Sequence, residues 1–293
     1  MQKRTLGRSV MKPSLLQTMA AWVGSTVGRE RAIVRALRPT YEHLLDRASR
    51  GRGYLVTING TDQFYVNPRY RAWFGETYEP EAFAYLKAHV RSGATILNVG
   101  AHVGIYALSM ASWVGRSGRV FAFEPNPETR QILTDQIARN DCADRVTIVP
   151  GAVADKAGSR LFSASGAAGF SRLGAANPAR DDVHEAFPVE VTTIDTFCAE
   201  RGVVPDWITL DVEGYEVSAL EGARETIMSR RAALTLTVEM HPSLWPLSGA
   251  SRDSMQKLLD ALQLHVEPLT GQRDPFAENG VVALSTRSPT LAL

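Results

Sequence analysis

Three stretches of this 293-residue chain space polar residues in a way that can do chemistry. The first is LDVEGYE, which holds Asp211, Glu213 and Glu216; the second is LTVEMH, which holds Glu239 and His241. Each begins as an apolar run and ends in carboxylates, the pattern of a buried strand delivering a polar loop. Asp211 directly follows its run and is the best placed to face a pocket. If the two strands are neighbours, Asp211, Glu239 and His241 converge. That trio has three uses. A proton acceptor beside an attacking oxygen calls for His241 or a carboxylate of tuned basicity. A hard divalent cation calls for oxygen ligands, to which Asp211 and Glu239 are better suited than His241. The plainest use is a helix cap with a structural histidine. Metal-independent chemistry is favoured over a divalent ion, because one His and two carboxylates do not specify a closed ligand set.

The third stretch is Asn98-Val99-Gly100-Ala101-His102-Val103-Gly104. Gly100 permits close backbone approach after a strand, Gly104 relieves crowding as a helix begins, and the first helix amides can orient a polar ligand group. The spacing lacks the GxGxxG order of a pyrophosphate loop, and taken alone it serves a structural turn as readily as a ligand loop. Glu124 lies 24 residues after Gly100, in FEPNP. At the next strand end its carboxylate can face a pair of ribose hydroxyls, or cap the following helix. His102 faces the same ligand or packs locally.

These residues need elements to hold them. ATILNVG at 94–100, RVFAFEP at 119–125 and RVTIVP at 145–150 read as strands, separated by helices reaching about Trp113 and Asn140. Two successive strand-helix-strand units imply a right-handed, mainly parallel sheet that presents its loops at one edge. Residues 151–190 are rich in Ala, Gly and Ser and predict strands plus an excursion over the pocket, bent at Gly166, Gly169 and Gly174. A helix beginning in TTIDTFCAERG, strands in WITLDVEG and LTLTVEM, the helix MQKLLDALQ, and antiparallel partners QLHVEPL and VVALST complete the domain. Before it, the first 50 residues predict helices broken at Pro39. GYLVTINGTDQFYVN predicts a hairpin turning at Asn59-Gly60, and Pro80 introduces a further helix. The expected division is an N-terminal attachment over 1–90, forming a substrate rim, and a catalytic domain over 91–293.

The composition excludes several classes. Hydrophobic residues make up 44% and charged residues 22%, a folding rather than a disordered balance. The formal charge of +1 offers no argument for nucleic-acid binding, and none is expected. Residues 1–50 are nevertheless basic, with ten Lys/Arg and three Asp/Glu. They suit an anionic partner, a membrane surface or plain solvation. LLQTMAAWVG at 15–24 is interrupted by Gln17 and Thr18 and is followed by no small-x-small site, so it predicts a contact helix rather than a secretion signal. No apolar run is long enough to span a bilayer. Cys142 and Cys198 show no metal or redox spacing, and the cytoplasm is the expected compartment.

Taken in order, ILNVGAHVGIYAL (96–108), VFAFEPNPE (120–128), TTIDTF (192–197), ITLDVEGYEVSALEGA (208–223) and LTVEMH (236–241) resemble the FkbM family of S-adenosylmethionine-dependent methyltransferases. The resemblance spans about residues 76–284. It implies an α/β class I methyltransferase fold: a Rossmann-like, mainly parallel seven-stranded sheet with helices on both faces and an antiparallel strand near the C-terminus. It implies O-methylation of a hydroxyl on a sugar, polyketide-derived or related natural-product acceptor. Glu124 matches the family's cofactor-ribose position and Asp211 its acidic position after the fourth strand; the residue pattern itself adds Asn98, Gly100, His102 and Gly104 as cofactor-binding candidates and Glu239 and His241 as catalytic candidates beside Asp211. Where the family commonly has Asp, this chain has Asn98, which accepts a hydrogen bond but carries no charge. The competing reading is a noncatalytic α/β protein that binds a nucleoside or a partner; turnover distinguishes the two.

Overall fold

The computed structural model describes residues 32–167, 169–178 and 185–286. The segment at 15–24, with the membrane or protein contact expected of it, lies outside the described residues. Contacts divide the chain into two units at Tyr78 and Glu79.

In the first unit, α1 (Ala32–Ala48) runs through Pro39 without the expected break. A proline removes only its own N–H from the ladder, and the turns on either side keep theirs, so the helix absorbs it at a local cost. The hairpin is as expected. Strands β1 (Tyr54–Ile58) and β2 (Asp62–Val66) pair antiparallel in register from Tyr54↔Val66 to Ile58↔Asp62. Asn59 and Gly60 both take positive φ, 48° and 71°, as a tight two-residue turn demands. The Asn59 side chain also donates to the Tyr78 carbonyl at 2.7 Å and accepts from the Tyr78 amide at 3.0 Å, holding the returning chain. Leu45, Ile58, Phe64, Val66 and Phe74 form the apolar interior.

The second unit is built on a seven-stranded sheet. In chain order its elements are α2 (Pro80–His89), β3 (Thr95–Val99), α3 (Ile105–Trp113), β4 (Arg119–Glu124), α4 (Pro127–Arg139) and β5 (Val146–Pro150). An excursion follows, with β6 (Ala152–Val153), β7 (Gly158–Ala164), β8 (Arg172–Leu173) and β9 (Glu185–Thr192). Then come α5 (Ile194–Arg201), β10 (Trp207–Leu210), α6 (Glu216–Glu221), α7 (Arg224–Arg230), β11 (Thr235–Met240), α8 (Arg252–Leu262), β12 (His265–Pro268) and β13 (Gly280–Ser285).

The strand order is β12-β13-β11-β10-β3-β4-β5. All pairings from β11 to β5 are parallel, and β13 is antiparallel to both β11 and β12. The order reverses between β3 and β10, the point of such a sheet where ligands bind at the carboxyl edge. Both faces of the sheet are covered. Leu97 and Val99 join an apolar cluster with Phe197, Leu220, Ile227 and Leu259 from α5 to α8, while Ile96 and Asn98, on the other face by alternation, are equally buried. This is the class I methyltransferase fold that the sequence implied. The excursion is a separate sheet of order β6-β9-β7-β8.

Candidate active site

Gly100 is required by close approach to backbone, and Gly104 by its left-handed conformation. At Gly100, φ is 84° and a Cβ would lie 1.8 Å from the Asp211 backbone oxygen; at Gly104, φ is 101° and a Cβ would lie 2.6 Å from Leu133 Cδ1. The first contact is the crossing point of the two halves of the site. Register places Val99 beside Leu210, so the chain leaving β3 turns directly against the chain leaving β10.

One half of the site lies at the ends of β3 and β4. The amides of Gly100 and Ala101 both donate to the Phe123 carbonyl, at 3.1 and 2.9 Å, fixing the loop to the neighbouring strand. His102, with φ 48°, turns its amide onto Glu124 Oε2 at 2.8 Å, and the Asn126 amide donates to Glu124 Oε1 at 2.9 Å. Burial still outweighs these donors and pushes the Glu124 carboxyl up to about 7. Burial lowers the His102 imidazole, and its Nε2 bonds the Ala167 carbonyl at 2.8 Å. Asn98, 2% exposed, lies two residues before Gly100, and its Oδ1 has no hydrogen bond.

The other half lies at the ends of β10 and β11, where Leu210 pairs with Val238 and so brings Asp211 beside Glu239. Asp211, Glu239 and His241 present ligand-type atoms all within 4.8 Å of one another. The His241 ring faces carboxylates on both sides: Nδ1 is 2.9 Å from Glu216 Oε1, and Nε2 is 3.5 Å from Glu239 and 3.8 Å from Glu213. Although burial disfavours its charge, the side chains of Glu216 and Glu239 hold the imidazole well above its ordinary range. Asp211 is also raised well above the carboxylate range, first by burial and then by the neighbouring charge of Glu239, with His241 opposing. Its Oδ1 is buried without a partner.

Glu216 is a residue whose importance the sequence reading did not find. It starts α6, as expected for an acid at a helix's positive end, but it is fully buried and holds three donors. Its Oε1 accepts from the Gly214 amide at 2.9 Å and faces His241; its Oε2 accepts from the Trp245 indole at 2.7 Å. Nothing in the spacing of Trp245 signals this bond, since a tryptophan reads as core.

The excursion spans both halves. Ala167 bonds His102, and the Gly166 carbonyl accepts from Asn126 Nδ2 at 2.6 Å. On the other side Arg172, 2% exposed, donates from Nε to the Glu213 carbonyl at 2.8 Å and from Nη1 to Ala175 at 2.7 Å, with Tyr215 packed 5.5 Å from its guanidinium. The Ala- and Gly-rich segment therefore straps across the sheet's carboxyl edge. The structure thus gathers Asn98, Gly100, His102, Gly104 and Glu124 on one side of the crossing and Asp211, Glu239 and His241 on the other.

The methyltransferase FkbM domain matches residues 98–264, more than half of the chain. A hexuronic acid methyltransferase of Haloferax volcanii is 27% identical over 204 residues, covering 67% of this chain and 74% of that protein. Among solved structures, a methyltransferase FkbM from Methylobacillus flagellatus aligns with TM-score 0.47 and 16% identity over 92% of this chain, which spans 57% of the length of that one. An S-adenosylmethionine-dependent O-methyltransferase from Thermotoga maritima aligns with TM-score 0.42 and 13% identity, covering 83% of each chain. The chain belongs to the FkbM methyltransferase family.

Proposed function

We propose that this FkbM-family methyltransferase moves a methyl group from S-adenosylmethionine to a hydroxyl of a sugar-like small molecule, with Asp211 taking the hydroxyl proton. The observation that carries this reading is the buried, partnerless Asp211 Oδ1 placed where the Gly100 loop abuts β10. The hexuronic acid methyltransferase relative supports a sugar acceptor.

The residues present fit the cofactor. Glu124 is a buried acceptor suited to ribose hydroxyls, the positive-φ glycines clear the loop, and the unpartnered Asn98 Oδ1 can accept from a donor at the methionine end. When bound, the cofactor supplies an electrophilic methyl on a sulfonium. Asp211 holds its proton more tightly than an ordinary carboxylate, and a cation set beside it favours the ionised form. With the cofactor bound, Asp211 would take the proton that the acceptor hydroxyl releases as its oxygen takes the methyl group, the donor sulfur keeping the electron pair of the broken C–S bond as a neutral thioether. His241 keeps the surrounding acids from repelling one another: Glu216 fixes its Nδ1 and Glu239 faces its Nε2. Glu216 on Nδ1 is the partner that a metal-bound imidazole also keeps, so the ring alone does not choose between a base and a cation site; the metal-independent version is preferred because one His and two carboxylates do not specify a closed ligand set. The two cysteines, both buried and neither in a disulfide, support a cytoplasmic setting, and among the described residues no helix is long and apolar enough to cross a membrane.

The test combines methyl-labelled S-adenosylmethionine with a panel of neutral and acidic sugars, with and without a chelator. The expected result is labelled product from the wild type, unchanged by chelation, and at least a hundredfold lower turnover in a folded Asp211→Asn variant with near-normal cofactor affinity. Cofactor binding without turnover on any acceptor selects the noncatalytic nucleoside-binding reading. Loss of activity on chelation, restored by magnesium or manganese, selects the cation arrangement.

A further inference from the structure

Asn98 leaves the cofactor half short of a charge. A methionine ammonium is a cation, and a neutral amide oxygen can accept its hydrogen bond but cannot offset its charge. The fold places another carboxylate at this edge. Glu79 precedes Pro80 and sits at the N-cap of α2 in a left-handed conformation, φ 35° and ψ 61°, which a non-glycine side chain adopts only when its surroundings hold it there. Its backbone carbonyl accepts the first helical bond, from the Phe83 amide at 2.8 Å, but its side chain makes no capping hydrogen bond. Its Oε2 instead accepts from the Tyr106 hydroxyl at 2.7 Å. Tyr106 is the second residue of α3, two positions after Gly104, so this bond ties the Glu79 carboxylate to the glycine loop. Glu79 is also among the charges that raise Asp211, the residue touching Gly100 from the other side.

We propose that Glu79, steadied by Tyr106, supplies the negative charge for the methionine ammonium of the cofactor, while Asn98 Oδ1 supplies a neutral hydrogen-bond acceptor to the same group. Two residues from different elements thereby share the work that a single aspartate at position 98 would do. The assignment rests on the cofactor reading above and makes Glu79 a binding residue, leaving proton transfer to Asp211.

The test uses calorimetric titration of the full chain with two ligands that share the nucleoside: S-adenosylhomocysteine, which carries the ammonium, and 5′-methylthioadenosine, which lacks it. Glu79→Gln keeps an oxygen for Tyr106 and removes the charge. It is expected to weaken S-adenosylhomocysteine about tenfold or more and leave 5′-methylthioadenosine unchanged. Tyr106→Phe keeps the charge but removes the hydroxyl that steadies the carboxylate, and is expected to weaken only S-adenosylhomocysteine, by a smaller factor. Equal losses for both ligands assign Glu79 a structural role and overturn the proposal, as does an unchanged S-adenosylhomocysteine affinity in Glu79→Gln. If Glu79→Gln does not fold, Tyr106→Phe decides: no selective loss overturns the proposal. If the wild type binds neither ligand, the cofactor reading itself fails, and this assignment fails with it.

Discussion

The ends of β3 and β4 and the ends of β10 and β11 belong to one edge of one sheet, yet they handle negative charge in opposite ways. At the first, Glu124 is a single buried carboxylate answered by neutral backbone donors, the amides of His102 and Asn126. At the second, Asp211, Glu213, Glu216 and Glu239 crowd around one imidazole, and the nearby guanidinium of Arg172 spends its Nε and Nη1 on backbone carbonyls. Backbone dipoles leave an anion with lone pairs to offer to hydroxyls. A surplus of carboxylates invites a proton or a cation. The difference suits the first half to ligand groups that donate hydrogen bonds, and the second to a proton or a cation.

The comparison breaks most severely at Glu216. Its two oxygens serve Gly214, His241 and Trp245, so Glu216→Gln must turn an NH₂ toward one of these donors and strip His241 of its buried counter-charge. The expected outcome in urea unfolding is a loss of about 3 kcal/mol, the range for breaking one side of a buried charge pair. Turnover should fall at least a hundredfold in whatever fraction folds. Glu239→Gln, at a half-buried position, should leave stability near that of the wild type. Equal stability of the two variants would mean that the second half is not organised around Glu216.

The two halves also differed in how readable they were. ILNVG and FAFEP announce strands by unbroken apolar runs, and the glycines follow at offsets that only a tight turn explains, so the first half could be placed residue by residue. In the second half, the meeting of Asp211 with Glu239 followed from two strands of the same kind being neighbours. The Glu216–Trp245 bond did not, because an indole N–H leaves no trace in spacing. The four-stranded excursion was foreseen only as strands and bends. Its Ala, Gly and Ser have too little hydrophobic alternation to define register, and Arg172, which anchors it, reads in sequence as a surface cation. Pro39 misled for a different reason: its local cost is real, but the rest of α1 carries the helix through.

The first half is sharpened by pH. Because burial raises Glu124 to about 7, its carboxyl takes up a proton as pH falls through that value. The folded protein then binds a proton that the unfolded chain, with its ordinary carboxyl near 4.5, releases. The sign follows: this group weighs least on stability below pH 4.5, and its ionisation costs about 3 kcal/mol of stability by the time pH has risen past 7. Cofactor affinity should move the other way, rising with pH through about 7 as the charged acceptor forms. Glu124→Gln should weaken S-adenosylhomocysteine about tenfold at pH 8 and flatten that rise, measured by calorimetry at several pH values. A persisting rise in the variant would assign the proton to another group.

The smallest expected effect concerns how each half holds the strap above it. On the second side a buried guanidinium holds the strap, whereas on the first side, among the described residues, hydrogen bonds run from His102 Nε2 to Ala167 and from Asn126 Nδ2 to Gly166. His102→Asn is a gentle probe, because asparagine tolerates the left-handed φ of 48° and keeps the backbone amide on Glu124, while its shorter side chain gives up the reach to Ala167. Loss of one neutral hydrogen bond corresponds to about 1 kcal/mol, so cofactor affinity should drop no more than about fivefold. Hydrogen exchange should report the change more clearly. The Ser165 amide, bonded to Ser171 Oγ at 3.2 Å within the strap, should exchange faster in the variant, while strand amides of β10 stay protected. Unchanged exchange at Ser165 would show that Asn126 alone suffices, and that the first half grips the strap as firmly as the second.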